Sequence, residues 1–201
     1  MTSGLRILVV DADPGRAALV QEGLSNAGDN VVRVAQAPDL LATLRSHNPD
    51  VVIVALDSPD RDVIEQLRTA GRETPRPVVM FVDRSDDTMM REAITAGVSA
   101  YVVDGLAANR VRTILDVAIA RFHASEGLKR ELDEARTSLA ERKLIDRAKG
   151  ILMERRGVTE DGAYQALRKM AMDQGQRMAE AAKSVISVAD LLNGKLNGKR
   201  G

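Results

Sequence analysis

Hydrophobic and polar positions along the chain follow two rhythms. Apolar runs at residues 5–10, 31–35, 51–56, 78–82 and 100–103 predict five strands. Between them, residues 16–27, 38–46, 61–70 and 87–96 carry the spacing of amphipathic helices, and Ala107 opens a fifth. Gly28 and Gly97 punctuate the ends of the first and fourth helices. Near-continuous apolar strands joined by crossover helices predict a buried, doubly wound, five-stranded parallel sheet with helices on both faces. In such sheets the ligand crevice lies at the carboxyl ends of the strands, which here places Asp11, Asp13, residues 55–59, Val82–Asp83 and Val103–Asp104 around it.

Beyond residue 107 the strand rhythm stops. Residues 109–156 contain no proline and read as one long helical stretch. A possible seam runs Val111, Ile114, Ala118, Leu128, Leu132, Ala135 and Leu139, with regular four–three spacing from Leu128 onward. Arg121, Ser125 and Gly127 interrupt it. The pattern predicts a coiled-coil homodimer, with an intrachain helical hairpin as the alternative. Residues 140–192 then read as three helices. The first turns Leu144, Ile145, Ala148, Ile151 and Leu152 to one face and stops at Gly157. Thr159 caps the second, with Glu160 and Asp161 in its first turn and Ala163, Leu167, Met170 and Ala171 on its apolar face. The pattern breaks around Gly175, and the third helix resumes at Met178 through Ala182, Val185, Ile186, Ala189 and Leu192. Such helices cannot hide their apolar faces alone, so they must pack on one another or on a partner. Small residues at 148, 150, 163, 179 and 182 suit close helix crossings, and Tyr164 is expected in the core. The organisation expected is an α/β domain at 1–122, a helical linker at 123–139, an all-α three-helix bundle at 140–192 and a disordered polar tail at 193–201.

Composition changes this picture in two ways. The 201-residue chain is neutral, with 29 basic and 29 acidic side chains. Residues 140–201 nevertheless hold 13 bases against 8 acids, a net of +5, which leaves −5 on residues 1–139. A basic helical segment suits a polyanion. The absence of cysteine excludes disulfides, thiol catalysis and thiolate metal sites, and the two histidines, His47 and His123, leave little for a histidine metal centre. His47 falls at a helix end, where it suits the helix dipole. The opening MTSGLRILVV has no basic region ahead of its short apolar run, and no stretch approaches the roughly 20 apolar residues of a membrane span. A cytoplasmic protein without a membrane segment is expected.

The stretch RAKGILMERRGVTEDGAYQALRKMAM (147–172), followed by an Ala/Val-rich helix, resembles the ANTAR domain of transcription antiterminators. That resemblance implies binding to paired hexaloop hairpins in leader mRNA. With no Trp and only Tyr164 as an aromatic in this part, recognition must lean on bases against phosphates and on hydrogen bonds to loop nucleotides. The RNA-contacting candidates are Arg147, Lys149, Arg155, Arg168, Lys169 and Arg177.

The N-terminal part is similar to the receiver domain of response regulators. That family carries an acidic pair after the first strand, an Asp acceptor ending the third, a hydroxyl after the fourth and a Lys after the fifth. The acids bind Mg²⁺ and the metal and Lys neutralise the phosphoryl charge. Here the pair becomes Asp11 and Ala12, the acceptor position Ala55, the hydroxyl position Val82 and the Lys position Asp104; the first lysine of the chain is Lys129. The resemblance therefore implies a pseudo-receiver without phosphotransfer and without a bound metal or other cofactor, Asp11 and Asp13 being residual acids. Asp57 is either a relocated acceptor or the cap of the turn 57–60.

The words SPDRD (58–62), RPVVMFVD (76–83), AGVSAYVVDGL (96–106) and LDVAIARF (115–122) extend the resemblance to nitrate-responsive antiterminators of the NasT type. It implies control of nitrate and nitrite assimilation genes and a nitrate-sensing regulatory protein as partner. Two other classes remain open: a DNA-binding response regulator, and a metal-dependent hydrolase built on Asp11, Asp13 and Asp57. Against the hydrolase, the sequence places no base, nucleophile or oxyanion donor.

Overall fold

The computed structural model describes residues 4–24 and 28–197. The chain folds as two compact units, Met1–Gly127 and Leu128–Gly201.

In the first unit five parallel strands, β1 (Arg6–Val10), β2 (Asn30–Val34), β3 (Val51–Leu56), β4 (Val78–Val82) and β5 (Ala100–Val103), form one sheet in the order β2-β1-β3-β4-β5. Helices α1 (Pro14–Leu24), α2 (Leu40–His47), α3 (Arg61–Glu73) and α4 (Asp87–Thr95) connect them, and α5 (Ala108–Arg156) follows. The order reverses between β1 and β3, so the crevice expected from the sequence opens there.

The period-two alternation of the strands divides the core. Leu8, Val10, Val52, Val54, Met80 and Val82 pack under α2, α3 and α4. Their neighbours Ile7, Val9, Val51, Ile53, Ala55, Val79 and Phe81 pack under α1 and the start of α5. Burial on both faces is why these strands lack a polar alternation. Val111 and Ala118 are buried in the second cluster and Ile114 packs against it. The N-terminal part of the predicted seam is therefore sheet-facing core rather than a coiled-coil surface. The loops before α2, α3 and α4 each end in an aspartate whose carboxylate accepts from the first turn of the next helix. Asp39 accepts from Ala42 N at 2.9 Å, Asp60 from Val63 N at 2.8 Å and Asp86 from Met89 N at 2.8 Å.

The second unit packs the C-terminal part of α5 with α6 (Glu160–Asp173) and α7 (Met178–Asn197). Ala148, Leu167, Ala171, Ala181, Ala182 and Ile186 form its buried centre, with Leu144, Ile145, Ile151, Leu152, Met170, Met178 and Val185 around them. Gly157 ends α5 with φ +64°, a left-handed conformation that glycine adopts without a Cβ penalty. The Thr159 hydroxyl then accepts from Gly162 N at 3.2 Å, the predicted cap.

Four details depart from expectation. Tyr164 is exposed, because the buried stripe of α6 runs Ala163, Leu167, Ala171 and the next residue points about 100° away from it. Leu192 is exposed as well. A Cβ on Gly150 would meet nothing within 4 Å, so this glycine marks no helix crossing. The polar end of the chain is helical as far as Asn197; residues 198–201 of the expected tail lie outside the described residues.

The glycine environments give a paired prediction. A Cβ at Gly23 would lie 2.3 Å from Ala108 O and 2.8 Å from the Val111 Cβ. Gly23→Ala should destabilise by about 1–3 kcal/mol through overpacking of α1 against α5. Gly150→Ala, in open space within a helix, should stabilise by about 0.5–1 kcal/mol. Denaturant unfolding of the two variants checks both signs.

Candidate functional site

Two regions carry chemistry, one in each unit. The first is the crevice at the carboxyl ends of β1, β3 and β4. Asp11 directly follows β1 and is fully buried, its N–H donating to Val34 O at 3.0 Å. Its Oδ1 accepts from Asp13 N at 2.8 Å, and Arg33 Nη2 donates to its carbonyl at 3.1 Å. Asp13 caps α1: its Oδ1 accepts from Gly15 N at 2.6 Å and Arg16 N at 3.0 Å. These backbone donors, Arg16 first and then Gly15, hold the Asp13 carboxyl below its ordinary pKa. Oδ1 of Asp13 is thus engaged at the helix end.

Ladder hydrogen bonds past the strand ends set two further acids side by side. Asp83 N donates to Leu56 O at 3.2 Å and Arg84 N to Asp57 O at 2.9 Å. Into this cluster α1 delivers Arg16, whose side chain is only 16% exposed. Its Nη2 lies 3.2 Å from Asp11 Oδ1, its Nη1 lies 2.8 Å from Asp83 Oδ2, and the same Nη1 is hydrogen bonded to Asp57. Burial works against the charge of Arg16, but its hydrogen bonds to Asp57 and Asp11 and the charges of Asp11 and Asp83 outweigh it and raise its pKa. In return the Arg16 hydrogen bond, and then its charge, lower the pKa of Asp57.

Asp57 is therefore an ion-pair partner of Arg16. Asp60, at the other end of the turn 57–60, caps α3. The acceptor position, Ala55, is fully buried in the core under α1 and α5. Asp104, at the position where receivers keep a lysine, has a left-handed backbone with φ 45°. The remaining acids converge on a planar guanidinium. Among the described residues no group of three or more His, Cys, Asp or Glu side chains is placed to hold a metal ion. With their oxygens turned to Arg16, these carboxylates do not form the oxygen cage that Mg²⁺ takes. Sequence reasoning missed Arg16. Its only signal was an arginine in the first turn of α1, five residues after Asp11, which is an ordinary place for a surface arginine.

The second region is the outer surface of the helical unit. Lys149 donates to Glu160 at 2.8 Å and pairs with Asp146 at 2.9 Å, and these contacts, Glu160 first, raise its pKa. Arg147 pairs with Asp190 at 3.1 Å, and Arg177 lies 3.9 Å from Glu141. Arg155 also has an interaction partner. Arg168 and Lys169 are exposed on α6, and among the described residues neither they nor Arg156 has an ion-pair partner. Arg156 and Lys169 belong to the lining of one groove of about 370 Å³, together with Leu152, Leu167, Met170 and Val185. Arg156 was not among the candidates singled out from the sequence; adjacency in space to Lys169 is what distinguishes it. Of the histidines, His47 closes α2 with its Nδ1 3.0 Å from Thr43 O, and His123 is exposed.

Comparison with known proteins agrees with this division. Residues 7–116 match the response regulator receiver domain family and residues 133–186 match the ANTAR domain family. The transcriptional regulatory protein PdtaR of Mycobacterium tuberculosis is 27% identical over 182 residues, covering 90% of this chain and 89% of that protein. A nitrate regulatory protein of Klebsiella oxytoca is 40% identical over 88 residues, 44% of this chain and 22% of that protein. Among solved structures, the signal receiver domain of a modulated diguanylate cyclase from Desulfovibrio desulfuricans G20 has a TM-score of 0.52 at 17% identity, covering 61% of this chain and 98% of that chain. That likeness is one of fold.

The depressed pKa values of Asp13 and Asp57 give a signed pH dependence. A carboxylate held below its unfolded-state pKa contributes stability above that value and loses it as pH falls through the folded value. Asp57→Asn should lower the melting midpoint at neutral pH, and the gap from the parent chain should shrink below about pH 4. Thermal melts across that range check it; a gap that persists unchanged into acid contradicts the assignment.

Proposed function

Since the chain belongs to the response regulator receiver domain family and carries an ANTAR domain at residues 133–186, we propose that it is an RNA-binding transcription antitermination regulator, cytoplasmic and without catalytic activity. The observation that carries the reading is a compact three-helix unit, matched by the ANTAR family, whose α6 presents unpaired basic side chains. Its target is leader mRNA with paired hairpins, held through phosphates by Arg168 and Lys169 and, across the groove, by Arg156. Arg147, Lys149, Arg155 and Arg177 are nearby candidates that already have internal partners, so RNA has to compete for them. Domain limits of 1–122, 123–139 and 140–192 accompany this proposal.

The regulated genes are proposed to be those of nitrate and nitrite assimilation, on the strength of the partial match to a nitrate regulatory protein. Control comes from a nitrate-sensing regulatory protein rather than from phosphorylation, because the acceptor position is a buried alanine. The chain acts as a homodimer. Leu128, Leu132 and Leu139 lie along α5 at 68%, 50% and 55% exposure, and a second copy of this seam would cover them. The DNA-binding alternative finds no specific support in the structure.

Binding of a hairpin-bearing leader, as RNA and as duplex DNA, should show clear preference for the RNA. Replacing Arg168 and Lys169 together by Ala should weaken RNA binding about tenfold or more and flatten the slope of log affinity against log salt by roughly one to two. An unchanged slope removes both from the interface. Light scattering of Leu132→Glu should show monomer where the parent chain shows dimer; a dimer that survives places the interface elsewhere.

A further inference from the structure

The crevice of the receiver unit is a charge cluster whose parts converge from four places in the sequence: Asp11 after β1, Arg16 on α1, Asp57 after β3 and Asp83 after β4. Asp11 is the demanding member. Its carboxylate is completely buried, and its Oδ2 has no hydrogen-bond partner. A buried carboxylate needs a counter-charge, and removing one partner of such a pair is far more costly than losing a surface ion pair. Asp57 and Asp83 are more exposed, but their carboxylates share one guanidinium nitrogen, Nη1, while Asp11 takes the other, Nη2. This is the two-pronged geometry that suits a guanidinium and that an ammonium, as a point charge, cannot reproduce. A divalent ion would need the oxygens gathered around one centre, and among the described residues no such grouping exists.

We infer that the crevice is a built guanidinium site occupied by the chain's own Arg16, a resident cation that ties the β1–α1, β3–α3 and β4–α4 connections together and makes the receiver unit indifferent to divalent metal ions. Arg16 is a positioning residue: it holds three loops by their carboxylates and touches no substrate. The ligand class of the site is the planar, bidentate cation.

The test uses the full chain and thermal unfolding. Millimolar MgCl₂ should shift the midpoint of the parent chain no more than NaCl of equal ionic strength. Arg16→Ala should lower the midpoint by roughly 2–6 °C. Millimolar methylguanidinium should recover a large part of that loss, whereas methylammonium or NaCl at matched ionic strength should not. Rescue by methylguanidinium separates a shaped site from a merely stabilising side chain, which small guanidines would not replace. Should Arg16→Ala not fold, Arg16→Gln is measured in the same way, and the magnesium comparison on the parent chain needs no variant. A specific stabilisation of the parent chain by Mg²⁺ overturns the inference. So does a variant on which methylguanidinium acts no better than methylammonium.

Discussion

A buried aspartate dictates the arrangement of the receiver unit's working end. Asp11 leaves β1 inside the protein, where a charge without a partner is strongly disfavoured. The partner comes from the next helix. Asp13 caps α1 and so fixes the first turn from which Arg16 reaches back. Once the guanidinium is in place it also pairs with Asp57 and Asp83, and the ends of three strands are held by one side chain. The same residues in a phosphorylated receiver would have to leave room for a metal and an acyl phosphate. Here Ala55 has joined the hydrophobic core and the cation belongs to the chain.

The helical unit answers a different demand. Alanines at 148, 163, 171, 181 and 182 sit in its buried centre or along the stripe of α6, so the helices need little side-chain volume to meet. The bases are left on the outside, and several are neutralised within the unit: Lys149 by Asp146 and Glu160, and Arg147 by Asp190. Net charge alone therefore overstates the unpaired positive surface. Among the described residues, Arg156, Arg168 and Lys169 keep an unspent charge at the end of α5 and in the second half of α6, as do the exposed Lys143 and Lys183 elsewhere on the unit.

What could be read from the sequence follows the range of the physics behind it. Strand and helix positions came from short-range periodicity: all five strands stand where the pattern placed them, with β1, β3 and β4 buried on both faces and the edge strands β2 and β5 only half-buried. The caps at Thr159 and Gly157 were legible for the same reason. Arg16 was not, because its role depends on ladder hydrogen bonds that bring residues 57 and 83 beside residue 11, a long-range fact no local pattern records. Tyr164 and Gly150 were misjudged because a one-residue rotation around a helix moves a side chain from core to surface. The seam at Val111, Ile114 and Ala118 went wrong in another way: a helix that packs on a sheet and a helix in a coiled coil share the same apolar spacing.

The most direct test of the whole account is a binding isotherm of the full chain for hairpin-bearing leader RNA, measured with and without acetyl phosphate at one fixed Mg²⁺ concentration and equal salt. The account predicts specific, salt-sensitive RNA binding and two superimposable curves, with no phosphorylated species in the mass spectrum. Absence of RNA binding, or an affinity that changes with covalent phosphorylation of the chain, would contradict it.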